Sequence, residues 1–203
     1  MSGPEQLRSL VLASESPRRR DILGQLGVAF SVVPAGIDET ALPDERAEAH
    51  VQRLAREKGS AVRARLAALP ERPCILSADT IVVVDDDVFG KPSDDADALR
   101  MLLRLSGRTH RVLTAVALCE VAGSHEDGVL LTTDVTFRAL PETAWRRYVA
   151  SGEARDKAGA YAIQGLGTGI VRAISGSYTN VVGLPAAETL ELLERAGVLG
   201  AWP

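Results

Sequence analysis

Aromatic residues are scarce in this chain: they make up 4% of it, as two tryptophans, three tyrosines and three phenylalanines. With an overall hydrophobic share of 46%, aliphatic side chains are expected to fill most of the core. Cysteine is nearly absent. Cys74 and Cys119 each lie in an apolar, strand-like run, which argues against a disulfide scaffold and fits reduced core thiols in a cytosolic protein. His50, His110 and His125 are scattered without ligand spacing, which argues against a zinc site. No signal peptide and no apolar run of membrane length is read, so a cytoplasmic protein with no membrane partner is expected. The formal net charge of −4 argues against binding a nucleic acid polymer, and any anion site must be a local basic cluster. Repeats and low-complexity linkers are also missing, so residues 1–203 are expected to form one domain.

The most informative segment is Leu10-Val-Leu-Ala-Ser-Glu-Ser-Pro-Arg-Arg-Arg-Asp-Ile-Leu23. Leu10 to Ala13 reads as a buried strand. Pro17 sits where a helix begins, because its fixed φ suits the first turn and its missing N–H costs nothing there. Arg18, Arg19 and Arg20 follow at once. A strand feeding a helix N-terminus favours anions, and arginine forks add paired donors for phosphate oxygens. A solvated basic turn on an ordinary helix is the other reading of the same residues.

Further along, Ala29 to Val33 reads as a short strand and Pro34 to Arg46 as a polar loop carrying Asp38 and Glu39. Val51, Leu54, Ala55, Lys58, Ala61, Val62, Arg65, Leu66 and Leu69 recur at helical spacing, with Lys58 on or near the apolar stripe. Cys74 to Ser77 and Thr80 to Val84 read as strand, interrupted at Ala78-Asp79. After an Asp85-Asp-Asp turn, Val88 to Pro92 leads to a helix capped by Ser93 and running to about Ser106. His110 to Val121 and Val129 to Phe137 suggest an antiparallel hairpin. Pro141 and Pro185 start further helices, ending near Gly152 and Ala196, and Gly159 to Gly183 is expected to hold short strands. The alternation of strands and helices predicts an α/β domain around a mixed sheet.

Asp79 lies between apolar runs, where a carboxylate is expensive to bury without a partner. It is either a site carboxylate acting as base or metal ligand, or a turn residue bonding local backbone N–H groups. Lys58 could snorkel, Lys91 in Gly90-Lys-Pro92 could be a solvated loop residue, and Gln164 could merely end a core strand.

Together these stretches resemble the Maf family of nucleoside triphosphate pyrophosphatases, historically called septum formation proteins. The resemblance rests on Ala13-Ser-Glu-Ser-Pro-Arg-Arg19, Ser77-Ala-Asp-Thr80, Gly90-Lys-Pro92, Asp156-Lys-Ala-Gly-Ala-Tyr161 with Ile163-Gln-Gly165, and Gly176-Ser-Tyr through Asn180-Val-Val-Gly-Leu-Pro185. It runs from about Leu10 to Ala196. It implies an α/β fold with a long mixed sheet flanked by helices and a central cleft, related to inosine triphosphatases. It also implies hydrolysis between the α- and β-phosphates with a divalent cation, Mg²⁺ or Mn²⁺. Asp79 matches the family's proton acceptor. Arg18, Thr80 and Gln164 match the positions that separate its branches, and all agree with the dTTP/UTP branch. Ser14, Arg19, Glu39, Lys58 and Lys91 match polar residues lining the family's cleft; of these, Ser14, Arg19, Lys58 and Lys91 are expected to bind phosphates, and Glu39 with Asp79 to hold the metal. Ser77 stands where Gly is frequent, and Ala186 where a bulkier aliphatic is common. The expected partners are a nucleoside triphosphate and a second copy of the chain in a homodimer. The alternatives are a 7-methyl-GTP or other purine nucleotide pyrophosphatase, and a non-catalytic nucleotide-binding regulator of septum formation.

Overall fold

The computed structural model describes residues 4–68, 70, 72–121 and 126–202. Leu69, His125 and the first part of the link expected after Val121 lie outside them. In chain order the elements are β1 Leu10–Leu12, α1 Pro17–Gln25, β2 Ser31–Val32, α2 Ala47–Leu66, β3 Cys74–Val84, β4 Asp87–Phe89, α3 Asp95–Leu105, β5 Thr109–Glu120, β6 Glu126–Phe137, α4 Glu142–Ala150, β7 Val171–Ser175, α5 Tyr178–Val182 and α6 Ala186–Arg195. Short 3₁₀ turns occupy Ala158–Ala160 and Gly165–Gly169. The strands form one seven-stranded sheet in the order β2-β1-β3-β5-β6-β7, with β4 paired to β3. It is mixed: β1 runs parallel to β2 and β3, whereas β4 and β7 pair antiparallel with β3 and β6. The α/β architecture with a mixed sheet is therefore as expected.

The chain divides into two compact units. The first comprises Met1–Asp79, Thr114–Leu131 and Gly183–Pro203. Its β1–β3 register pairs Leu12 with Leu76, which places the following Ser14 level with Ala78. α2 buries His50, Val51, Leu54, Ala55, Lys58, Gly59 and Val62, one stripe at i, i+3, i+4 spacing. A cluster of Val11, Ala13, Ala35, Val62, Ile75 and Cys119 is aliphatic apart from its thiol. Both cysteines are buried and unbridged.

The second unit comprises Thr80–Leu113 and Thr132–Val182. The core is mostly aliphatic, as expected, but here the few aromatics are concentrated. Phe89, Phe137, Trp145, Tyr148 and Tyr161 all join one buried cluster. Phe137 meets Tyr161 edge-on at 4.6 Å and lies against Trp145 at 5.9 Å, arrangements that favour ring quadrupoles.

Several local expectations are corrected. β3 is an unbroken 11-residue strand, so Asp79 does not sit at a strand break. Val88 and Phe89, read as a lead-out, belong to β4, with Val82 facing Phe89. α3 is capped by Asp94, not Ser93: the Asp94 carboxylate accepts from the Asp97 N–H at 2.7 Å. Charge explains the preference, since a carboxylate also complements the helix dipole. The Gly159–Gly183 stretch holds one strand, β7, with two 3₁₀ turns and the short α5 around it. Among the described residues no helix is long and apolar enough to cross a membrane.

Candidate active site

In the first unit, side chains on one face of β3 meet α2. Alternation along a strand puts Ser77 and Asp79 on the same face. The Ser77 hydroxyl donates to the Ala55 carbonyl of α2 at 2.7 Å. One helical turn on, Lys58 Nζ donates to Asp79 Oδ1 at 2.6 Å. Gly59 permits this approach, because a Cβ there would lie 2.9 Å from Ser77 Oγ. Lys58 Nζ also lies 2.7 Å from Glu39 Oε1. Lys58 therefore does not snorkel: it is buried and bridges two carboxylates.

The loop that carries Glu39 is tied to α2 by Arg65, placed by the sequence on the helical stripe, and by Arg53, which the sequence reading passed over. Arg65 donates to the carbonyls of Pro34 and Ala35, at 2.6 and 2.5 Å. Arg53 donates to the Thr40 carbonyl at 3.2 Å and grips Glu45 through Nε and Nη2, both at 2.7 Å. The Arg53 bonds hold the Glu45 carboxyl far below the usual carboxylate range. Helical spacing with surface arginines on the loop side of α2 was the available signal.

Of the three arginines opening α1, Arg19 turns inward, Arg18 is half-buried and Arg20 is exposed. Arg19 Nη1 donates to Ser14 Oγ at 3.1 Å and to the Ala78 carbonyl at 2.8 Å, and Nε donates to the Gly183 carbonyl at 2.8 Å. It thus pins the end of β1, the residue before Asp79 and the Gly183-Leu-Pro185 turn to one guanidinium. Burial pushes Arg19 down from its ordinary pKa; Asp79 pulls the other way, Arg18 adds to the push and Glu39 opposes it. Ser14 Oγ accepts from both Arg19 and the Ser16 N–H, the latter at 3.2 Å. Its own proton is then the one left to donate.

The remaining predicted residues belong to the second unit. Thr80 follows Asp79 in β3 and is half-buried, but its side chain leaves on the opposite face. The two residues are neighbours along the strand without sharing a face. Lys91 is exposed just beyond β4. Its neighbour Gly90 accepts from the Gly159 N–H at 3.0 Å, which ties that segment to the run leading to Gln164. Gln164 is exposed, immediately before the 3₁₀ turn at Gly165–Gly169. Among the described residues no group of three or more His, Cys, Asp or Glu side chains is placed to hold a metal ion. Glu39 and Asp79, which converge on the Lys58 ammonium, are the carboxylates available to a cation.

The family model described as "Maf-like protein" matches residues 9–196. The chain belongs to the Maf family. A Myxococcus xanthus protein named dTTP/UTP pyrophosphatase is 52% identical over 95% of each chain. Proteins of the same name are 52% identical in Escherichia coli O157:H7, over 95% of each chain, and 49% identical in Pseudoalteromonas atlantica, over 92% of this chain and 96% of the relative. A solved Mycobacterium abscessus structure titled Nucleoside-triphosphatase / dITP/XTP pyrophosphatase aligns over 93% of each chain, at a TM-score of 0.40 and 16% identity. A likeness that distant carries no weight beside the Maf relatives.

Proposed function

We propose that this Maf protein is a nucleoside triphosphate pyrophosphatase that hydrolyses dTTP and UTP to the monophosphate and pyrophosphate. The observation that carries this reading is the buried Asp79–Lys58 pair with the exposed Glu39 on the same ammonium, backed by Maf relatives named dTTP/UTP pyrophosphatase at 49–52% identity. A pure binding module needs a grip on phosphates, but it does not need a desolvated carboxylate held beside a lysine.

Hydrolysis at the α-phosphorus requires neutralised phosphate charge, an aimed water and a proton acceptor, and positioning with electrostatics dominates such chemistry. Asp79 is the proton acceptor. Ser14, Arg19, Lys58 and Lys91 supply donors to the phosphates; the Ser14 oxygen already accepts two bonds and keeps its proton to donate. Glu39 and Asp79 are the carboxylates that would hold a divalent cation beside Lys58, since Mg²⁺ is usually held by one or two carboxylates plus substrate phosphates. Bound there, Mg²⁺ or Mn²⁺ would neutralise phosphate charge as a Lewis acid. Arg18, Thr80 and Gln164 select the base, and the Gln164 amide matches the donor and acceptor edge of uracil and thymine. Residues 1–203 act as one domain in a cytoplasmic homodimer.

The test is a nucleotide panel assayed with Mg²⁺, with Mn²⁺ and with a chelator, scoring monophosphate and pyrophosphate. UTP and dTTP should lead, and chelation should abolish turnover. A preference for GTP or 7-methyl-GTP would overturn the base assignment. Thermal stabilisation by nucleotides without pyrophosphate release would favour a regulator.

A further inference from the structure

Glu153 lies in the turn after α4 and is half-buried. Its carboxylate holds backbone. Glu153 Oε2 accepts from the Leu166 N–H at 2.9 Å, and Oε1 accepts from the Gly167 N–H at 2.9 Å. Oε1 also accepts from the Tyr148 hydroxyl at 2.9 Å. The Tyr148 oxygen in turn accepts from the Ala162 N–H at 3.0 Å. On the same stretch, Thr168 Oγ1 donates to the Ile163 carbonyl at 3.2 Å. Gln164 is thus flanked on both sides by backbone amides held by one carboxylate–phenol pair.

The fit around this carboxylate is close. Gly165 has φ +63°, and a Cβ there would lie 2.5 Å from Glu153 Oε2. Glycine is needed both for the left-handed backbone and for the approach. Tyr148 is anchored in the aromatic cluster, so the pair transmits the rigidity of that core to an exposed turn. A side chain must be fixed within a fraction of an ångström to discriminate by hydrogen bonds, and its supports decide that.

We propose that Glu153, with Tyr148 as its partner, is a positioning residue for substrate choice: it fixes the turn from which Gln164 meets the base. The proposal rests on the reading of Gln164 as a base-reading residue. Glu153→Gln keeps the shape but replaces one acceptor oxygen by a donor, so at least one of the three incoming N–H or O–H groups loses its acceptor.

The experiment measures kcat and KM for UTP and GTP in wild type, Glu153→Gln, Gln164→Ala and the double variant. Glu153→Gln should compress the preference for UTP over GTP by about tenfold, mainly through KM for UTP. In the Gln164→Ala background it should add no further compression, because coupled residues are not additive. Equal losses for UTP and GTP, or the same added factor in both backgrounds, would overturn the proposal. If Gln164→Ala compresses the preference and Glu153→Gln does not, this proposal alone falls. If Gln164→Ala leaves the preference unchanged, the reading of Gln164 falls, and this proposal with it. Should Glu153→Gln fail to fold, Tyr148→Phe decides. It keeps the buried ring, removes the hydroxyl between Ala162 and Glu153, and should shift the preference in the same direction by a smaller factor.

Discussion

The first unit buries ions and the second buries rings. Arg19, Lys58 and Asp79 are each less than a tenth exposed and belong to the first unit, whose cluster around Val11 and Ile75 contains no aromatic residue. The second unit gathers five aromatics and uses its buried polar groups, His110, Thr133 and Asn180, as local braces. Asn180 Nδ2, for example, donates to the Val112 carbonyl and to Thr133 Oγ1, both at 3.0 Å. The contrast suggests a division of labour. Desolvated, paired charges suit phosphate chemistry, where fields are strong in a dry site. A rigid aromatic core suits the support of a turn that must present one amide accurately.

Two substitutions attack the charged side of that contrast. Asp79→Asn removes the basic oxygen while preserving size, and kcat for UTP should fall by about 10²–10⁴-fold with the fold retained. Pyrophosphate release measures it, and activity within a few-fold of wild type would remove Asp79 from catalysis. Lys58→Met leaves Asp79 buried without its ammonium partner. Breaking a buried pair typically costs about 3–5 kcal/mol, so the urea midpoint should drop sharply. Adding Asp79→Asn to Lys58→Met should recover part of that loss.

Smaller effects are expected from the other side. Gln164→Ala should lower kcat/KM for UTP by roughly ten- to a hundredfold, the cost of about 1–3 kcal/mol for a lost buried hydrogen-bond partner. Stability should barely change, since Gln164 is exposed. A pH dependence of stability, separate from turnover, is expected as well. Burial pushes the His110 imidazole down to about 4, and its Nε2 lies 2.8 Å from the Tyr161 hydroxyl. The unfolded chain therefore binds a proton that the folded chain refuses. Stability should be full above about pH 6.5 and fall toward pH 4, by at most about 1.4 kcal/mol per unit from this residue. His110→Gln should flatten that window in urea titrations at pH 5 and 7, while leaving the base preference unchanged.

The sequence made some of this legible and hid the rest for physical reasons. The strand-to-helix step at Leu10–Leu23 was readable because Pro17 marks a helix start locally. Lys58 was visible as an oddity on an apolar stripe. Its two carboxylate partners were not, because they depend on where β3 and the Glu39 loop fall in space. The apparent interruption at Asp79 came from a polar residue in an apolar run, yet the strand continues because Lys58 satisfies the carboxylate. Ser77, read only as a departure from a common glycine, turns out to bond α2 one helical turn before Lys58, opposite Gly59. Glu153 and Tyr148 gave no local signal, since their partners are backbone amides 13 or 14 residues away in sequence.

The division of labour is tested most directly by kcat/KM for UTP and GTP measured side by side in Asp79→Asn and Gln164→Ala. The account predicts that Asp79→Asn lowers both substrates by the same large factor and leaves their ratio unchanged, whereas Gln164→Ala lowers UTP selectively and compresses the ratio. A compressed ratio in Asp79→Asn, or equal losses for both substrates in Gln164→Ala, would contradict it.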